Sequence, residues 1–384
     1  MSRPTIAGVA RAAGVSVASV SRVLNGLPAT DEMVERVQRA VAELGYVPDA
    51  RARSLKVGRT FQLTLAVADI GNPVYVTRMR AVEEVVSAAG YRLVVTATGP
   101  EVADEIALVR GMARGYADGL LISPIRVNDD LMKSIRECEV PVVVVGDVAA
   151  KAGVDTVRAN SPKGVLLAVE HLVDRGRTRI AFLNGPTDTV PGAARAKGFA
   201  DALNEHGLEP VAVVEANDFT FAAGRTASLE LLKSGVGPEP RSGGTTAASR
   251  APGVDAERGA PGSSRPGGRA AAGSSRPGVT APAPSSRPKG GFDAVVCAND
   301  LLAVGLMHEL AAVGLRVPED VAVVGMDDSE LAEQSFPPLT SVNLGSAERG
   351  RRAAELLLAR IEDNDRAPRR IVVQPSLTVR RSTP

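Results

Sequence analysis

Residues 5–26 read TIAGVARAAGVSVASVSRVLNG, and this stretch decides how the rest of the chain is divided. Thr5 supplies the oxygen to cap a helix over Ile6–Ala13, in which Ile6, Val9, Ala10 and Ala13 share one apolar face. Gly14-Val15 makes a tight turn, and Ser16 caps a second helix running to about Asn25, with Gly26 free to enter the left-handed region as its stop. Val20, Val23 and Leu24 turn toward the first helix, while Val17, Ala18, Ser21 and Arg22 lie elsewhere on the surface. A third helix is expected over Asp31–Leu44. Asp31 and Glu32 fill its first turn, Val34, Val37, Val41 and Leu44 face inward, and Gly45 stops it.

Two short helices joined by a tight turn, the second starting with small polar residues, have the shape that enters a major groove. The Ser16 hydroxyl and the unpaired N–H groups at that helix start suit a phosphate. Val17, Ala18 and Arg22 then face base edges, with Arg22 as a bidentate partner for guanine. A plain three-helix bundle fits the same spacing.

Charge sharpens the choice. The chain of 384 residues has a net charge of only +1, but residues 1–60 hold nine Lys/Arg against five Asp/Glu, and residues 235–290 hold eight against three. The remainder is acidic, so the amino-terminal piece is the part that meets a polyanion. Aromatic residues make up 3% with no Trp, and Tyr46 alone falls within residues 1–60, which disfavours stacking on single strands and leaves duplex binding. No apolar run approaches a bilayer crossing. The first thirty residues carry Arg3, Arg11 and Arg22 and no apolar export core, so a cytoplasmic location is expected. Cys138 and Cys297 cannot build a disulfide framework, and His171, His206 and His308 have no metal-ligand spacing, so neither metal nor cofactor is expected.

From about Phe61 the pattern changes to strands alternating with helices. Strands are expected at Leu63–Ala68, Tyr91–Ala97, Gly119–Ser123, Val140–Val145, Arg179–Asn184, Val211–Glu215, Ala294–Ala298 and Val321–Gly325. Val74–Ala89, Ser161–Arg175, Gly192–His206 and Asp300–Ala312 read as amphipathic helices between them. Near-continuous branched runs separated by helices indicate parallel sheets covered on both faces, and eight strands exceed one comfortable sheet. Two doubly wound lobes follow, with a ligand cleft at the carboxyl ends of the strands. Residues 235–290 break the pattern: 21 of these 56 are Gly or Pro, and Ser-Ser-Arg-Pro recurs at 263, 274 and 285. Such a segment cannot bury enough to offset its ordering entropy and is expected to be disordered.

Thr5-Ile6-Ala7-Gly8-Val9-Ala10, Ala13-Gly14-Val15-Ser16 and Val20-Ser21-Arg22-Val23-Leu24-Asn25-Gly26 closely resemble the headpiece of LacI-type transcriptional regulators. Leu44-Gly45-Tyr46-Val47-Pro48 and Ala52-Arg53-Ser54-Leu55 continue the match into that family's hinge helix. The resemblance implies DNA contacts from Thr5, Ser16, Val17, Ala18, Ser21, Arg22 and Asn25, with Val17 and Ala18 at the main base-reading positions. It implies that Leu55 wedges into the minor groove, where unstacking one base step costs a few kcal/mol that wider contact offsets. Arg51, Arg53 and Lys56 flank it against phosphates. The body resembles the family's effector-binding core, related to periplasmic sugar-binding proteins, through Gly71-Asn72-Pro73 with Tyr75, Val145-Gly146-Asp147, Arg195 with Gly198-Phe199, Ala298-Asn299-Asp300 and Val324-Gly325-Met326-Asp327-Asp328. By that resemblance Asp147, Arg195 and Asp300 are polar effector contacts, with Phe219 and Tyr75 beside them. Read as residues alone, Asp147 and Asp300 equally suit helix caps, Arg195 a surface pair, and Asp327-Asp328 a turn.

Departures accompany the match. Ala159-Asn160 stands where the family commonly has Asp-Asn, Gly176-Arg177 where Gly-His is usual, and no heptad helix follows Leu377-Thr378-Val379-Arg380, so a homodimer is expected. The expected architecture is α/β: a helix-turn-helix headpiece over 1–48, a hinge over 49–60, and a two-lobed core over 61–384. Its first lobe takes about 61–159 and 319–344, its second about 162–316 and 347–384, the latter carrying the insertion. The expected function is a DNA-binding repressor of double-stranded operator sites, not an enzyme or membrane protein, controlled by a small molecule, most simply a carbohydrate. A co-repressor-dependent regulator sensing a nucleobase is the alternative, and a transporter-feeding solute-binding protein is a distant third.

Overall fold

Capping residues and glycines set the boundaries of the first three helices, α1 (Ile6–Ala13), α2 (Val17–Leu24) and α3 (Asp31–Leu44), in the computed structural model of the chain. The structure describes residues 4–47, 58–233 and 291–383; hinge residues Arg51, Arg53, Leu55 and Lys56 and the segment 235–290 lie outside the described residues. Thr5 Oγ1 accepts from the Gly8 N–H at 3.2 Å, Ser16 Oγ from Ser19 at 3.0 Å, and Thr30 Oγ1 from Met33 at 3.4 Å. Each satisfies an N–H that the helix itself leaves unpaired. Gly14 and Gly45 end α1 and α3 at φ 64° and 60°, a conformation that other L-residues enter at a cost. Val9, Ala10, Ala13, Val20, Val37 and Ala40 form the small core, with Tyr46 packed on its edge. Leu44, expected inside, is 40% exposed. It lies on the same helical stripe as Val37, but Gly45 turns the chain there and Tyr46 takes the last place on the core.

The core contains two six-stranded sheets. The first comprises β1 (Gln62–Val67), β2 (Arg92–Ala97), β3 (Gly119–Ser123), β4 (Val142–Val144), β5 (Asp155–Ala159) and β11 (Arg370–Val373), in the order β11-β5-β4-β3-β1-β2 and parallel throughout. The second comprises β6 (Ile180–Asn184), β7 (Ala212–Glu215), β8 (Ala294–Cys297), β9 (Ala322–Met326), β10 (Thr340–Asn343) and β12 (Ser376–Thr378), in the order β12-β10-β9-β8-β6-β7, with β12 alone antiparallel. The expected assignment of 319–344 to the first lobe and 347–384 to the second is therefore corrected. Val295 registers with Val323, so β9 extends the second sheet, and β10 pairs with β9. After β10 the chain crosses to the first lobe as α12 (Ser346–Glu362), which lies against α4 (Pro73–Ala88), and β11 pairs with β5 before the chain returns as β12. Gly350 allows this contact: a Cβ there would meet the Arg78 carbonyl oxygen.

Helices cover both faces of each sheet: α4, α5 (Val102–Gly111), α6 (Asp129–Arg136) and α12 in the first lobe; α7 (Ser161–Asp174), α8 (Val190–Glu205), α9 (Phe221–Lys233), α10 (Asp300–Ala312) and the short α11 (Glu330–Gln334) in the second. Leu63, Leu65, Leu121 and Val143 are fully buried against α4 and α12, as are Ile180, Phe182 and Val296 against α7 and α8. Phe182 and Phe199 stack with centroids 4.6 Å apart, and burying each ring contributes about 2 kcal/mol or more. Chain crossings near residues 160, 344 and 374 connect the lobes, and a cleft lies between them.

Candidate functional site

Two surfaces carry the predicted chemistry. On the headpiece, α1 and α2 meet at 102°, within the range of helix-turn-helix units. Val20 anchors α2 in the core, which turns Val17, Ala18 and Arg22 outward; all three are exposed. Ser16, Thr5 and Asn25 are also exposed, and Ser21 is half-buried. The structure assigns several of these side chains local work as well. The Thr5 and Ser16 oxygens accept helix N–H groups, and Asn25 donates to the Ser21 carbonyl at 2.6 Å, closing the end of α2. A capping hydroxyl that accepts through a lone pair keeps its O–H for another acceptor, so capping and phosphate contact are compatible at Thr5 and Ser16.

The second surface is a cavity of about 370 Å³ between the lobes, the size of a small-molecule site. Of the expected contacts, Tyr75, Asp147, Arg195 and Phe219 line it. Asn72 caps α4 by accepting from the Val74 N–H, which brings Tyr75 and Arg78 to the cleft on the first turns of that helix. Arg78 donates to Ser123 Oγ at 2.7 Å, and its guanidinium carbon lies 5.1 Å from the Tyr75 ring centre. Asp147 follows β4 and is held by Arg158 at 3.3 Å and Arg370 at 3.5 Å. Arg195, on α8, approaches Asp327 at 3.7 Å and lies 5.7 Å from the Phe219 ring centre. Phe219 reaches this place because Gly185 has no side chain; a Cβ there would overlap the ring. Asn299 holds the Phe219 loop by donating to its carbonyl at 2.9 Å while capping α10.

Asp300 is the exception and is corrected: it does not line the cavity. Its carboxylate turns beneath the floor, accepting from the Ser329 N–H at 2.8 Å, the Ser329 hydroxyl at 2.7 Å and the Ser341 hydroxyl at 2.5 Å. Burial, with the nearby Asp327 charge, pushes its pKa up to about 7 despite these bonds. The buried carboxylate that lines the cavity here is Asp327, alongside the more exposed Asp69, Asp147 and Asp218; in the sequence it reads only as part of a turn. The turn is real: Asp327 and Asp328 have φ of 104° and 49°. Asp328 is tied into the sheet, accepting from Asn343 and Thr378, while Asp327 faces the cleft. Two consecutive non-glycine residues in the left-handed region at a ligand cleft are the kind of stored strain found at functional sites.

Sequence reasoning also missed Arg78, Arg158, Ser123, Asn299 and Arg349, all in the cavity wall. Ala159, which stands where the family pattern commonly has Asp, lies in the wall as well and contributes no charge. Arg195 and Asp327 show opposite shifts of one kind: burial lowers the arginine and raises the aspartate, outweighing their mutual attraction. Tyr75 is raised by burial and stays a neutral phenol. Among the described residues no single helix is long and apolar enough to cross a membrane.

Residues 5–49 match the family model for bacterial regulatory proteins of the lacI family. Residues 60–258 match that for periplasmic binding proteins and the sugar-binding domain of the LacI family, and 233–383 that for a periplasmic binding protein-like domain. The HTH-type transcriptional regulator CelR of Thermobifida fusca is 34% identical over 392 residues, covering 99% of this chain and 98% of that protein. The HTH-type transcriptional repressor PurR of Vibrio atlanticus (strain LGP32) is 31% identical over 383 residues, with coverage of 99% and 98%. A solved structure of the transcriptional regulator CelR–cellobiose complex superposes with a TM-score of 0.65 at 32% identity, over 99% of this chain and 100% of that one. With an exposed second helix in its amino-terminal helix-turn-helix, a cleft between two lobes in its core and relatives that match nearly the whole chain, this chain belongs to the LacI family of bacterial transcriptional regulators.

Proposed function

We propose that the chain is a cytoplasmic, non-enzymatic repressor that binds a pseudo-palindromic operator as a homodimer and is switched by a small molecule in the cleft. The observation that carries this reading is the pairing of an outward-facing α2 with a polar cavity between two lobes in one chain. Val17, Ala18 and Arg22 read base edges in the major groove. Ser16 and Thr5 hold phosphates, Ser21 and Asn25 stand beside them, and Leu55 wedges into the minor groove between Arg51, Arg53 and Lys56.

In the cleft, Arg195, Asp327, Asp147, Arg78 and Asn299 fork onto hydroxyls or ring polar atoms, and Phe219 and Tyr75 cover apolar faces. Asp300 braces the turn that presents Asp327. A ligand with greater affinity for one lobe arrangement orders or releases the hinge. The relatives include a CelR–cellobiose complex and a ribose operon repressor, so a carbohydrate is the first reading and a nucleobase co-repressor the second.

The test is selection of duplexes from a random pool by the full chain at physiological salt, followed by anisotropy on the recovered site with wild-type and Leu55→Ala protein. A palindromic consensus is expected, with a large loss for Leu55→Ala on the selected site and little change on random DNA. Equal losses on both would remove the minor-groove role, and no preferred duplex would remove the function.

A further inference from the structure

The inner layer of the cleft is unbalanced in charge. Arg78, Arg195 and Arg349 all line the cavity and are 3%, 7% and 8% exposed. Asp327 is the carboxylate among them, and it reaches Arg195 at 3.7 Å. Asp300 lies one layer behind, engaged by Ser329 and Ser341. Counting it as fully ionised, guanidiniums still outnumber carboxylates in this region by one; protonated, by two.

Groups nearer the rim do not redress the excess. Asp147 is already matched by Arg158 and Arg370, and Asp69 and Asp218 are exposed and screened by water. Nε of Arg78, Arg195 and Arg349 has no hydrogen-bond partner, and Arg349 makes no ion pair within 4 Å among the described residues; Asp327 favours its charge but is shared with Arg195 and Arg78. Burial and the neighbouring Arg78 charge lower Arg349 to about 9, which leaves it a cation at neutral pH. Cations taken out of water in excess of the anions that meet them are strongly disfavoured, so the layer is complete only with a negative occupant.

We infer that the molecule taken by this cleft carries a compact oxyanion, a carboxylate or a phosphoryl group, which seats against Arg349, Arg78 and Arg195. Asp327, Asn299 and Asp147 are left to receive the hydroxyls of the same molecule. The ligand class is thus an acidic polyol, a sugar acid or a sugar phosphate, in preference to a neutral sugar or base. This rests on the reading of the cleft as the effector site.

The experiment uses the full-length protein at fixed ionic strength. Calorimetry compares D-glucose with D-gluconate and D-glucose 6-phosphate, and thermal melting follows inorganic phosphate against chloride. The tighter charged derivative is expected to bind at least about tenfold better than glucose, since charge-assisted bidentate bonds exceed neutral ones; which derivative wins distinguishes carboxylate from phosphoryl. Phosphate should raise the melting temperature of the wild type by more than it raises that of Arg349→Met, whose own gain measures the generic salting effect. Arg349→Met should also melt higher than wild type without ligand, because an unmatched buried charge is replaced by an apolar side chain of similar length. Glucose binding as tightly as both derivatives, or equal phosphate gains in wild type and Arg349→Met, would overturn the inference. Duplex selection by the same preparation is independent of these readouts. An operator found alongside a charge-indifferent cleft sinks only the ligand class, whereas no operator sinks the regulator reading itself.

Discussion

The headpiece and the cleft solve opposite electrostatic problems. On the headpiece, Arg22 stands in water and its charge is available to DNA at little cost to folding. In the cleft, Arg78, Arg195 and Arg349 are withdrawn from water, and their desolvation is visible in lowered pKa values. A surface for a polyanion can be built from side chains on one short helix. A pocket for a small molecule must gather charges from many segments and hold them in place before the ligand arrives, which is why the cleft is braced by Ser123, Asn299, Gly185 and the Asp327-Asp328 turn.

The contrast can be broken at either end. The largest effect is expected from Val20→Asp, which places a charge in the six-residue headpiece core; a loss of more than about 4 kcal/mol unfolds the headpiece. Operator binding by anisotropy should vanish while the melting transition of the two-lobed core persists. Next is Asp327→Asn, which removes the carboxylate opposing three buried guanidiniums. A destabilisation of about 3 kcal/mol is expected in urea unfolding, and a neutral outcome would mean that the cations are better hydrated than their burial indicates. Arg22→Ala should weaken operator binding by about 1–3 kcal/mol and relax the preference at one base position, read by competition with single-base variants.

Protonation tests the layer beneath the cleft. The folded pKa of Asp300, about 7, lies above the value of about 3.9 for an unfolded chain, so the protonated form favours the fold. The stability it contributes is complete below the unfolded value and is lost as pH rises through about 7. Melting temperatures recorded from about pH 4 to about pH 8 should fall more steeply for wild type than for Asp300→Asn. The smallest effect is expected from Thr30→Ala, which removes the cap of α3 at a cost of about 1 kcal/mol to the headpiece alone.

Legibility followed the range of the interactions. Caps, turns and the reading face of residues 5–26 depend on neighbours within four positions, and Thr5, Gly14, Ser16 and Gly45 stand where the pattern placed them. The strands whose pattern was readable are those rich in branched apolar residues. β5, β10, β11 and β12 are short and partly polar, and they were missed. Leu44 fits the helical stripe yet lies past the edge of a small core, something that periodicity cannot express. Asp300 and Asp327 illustrate the limit most clearly: both follow strands of the second sheet, and only the left-handed turn at 327–328 aims one into the cleft and buries the other beneath it.

The amino-acid order alone determined the headpiece, the alternation of strands and helices and the two-lobed class, because short-range periodicity and motif spacing encode these; Tyr75, Asp147, Arg195 and Phe219, which line the cavity, were singled out only through the family resemblance. The tertiary structure alone decided that β9 and β10 belong to the second sheet and that α12 returns to the first. It likewise brought Arg78 and Arg349, 271 positions apart, into one dry layer with Asp327. Pairing partners and the sum of buried charge depend on which distant segments share a space, and that is fixed only when the sheets close and exclude water.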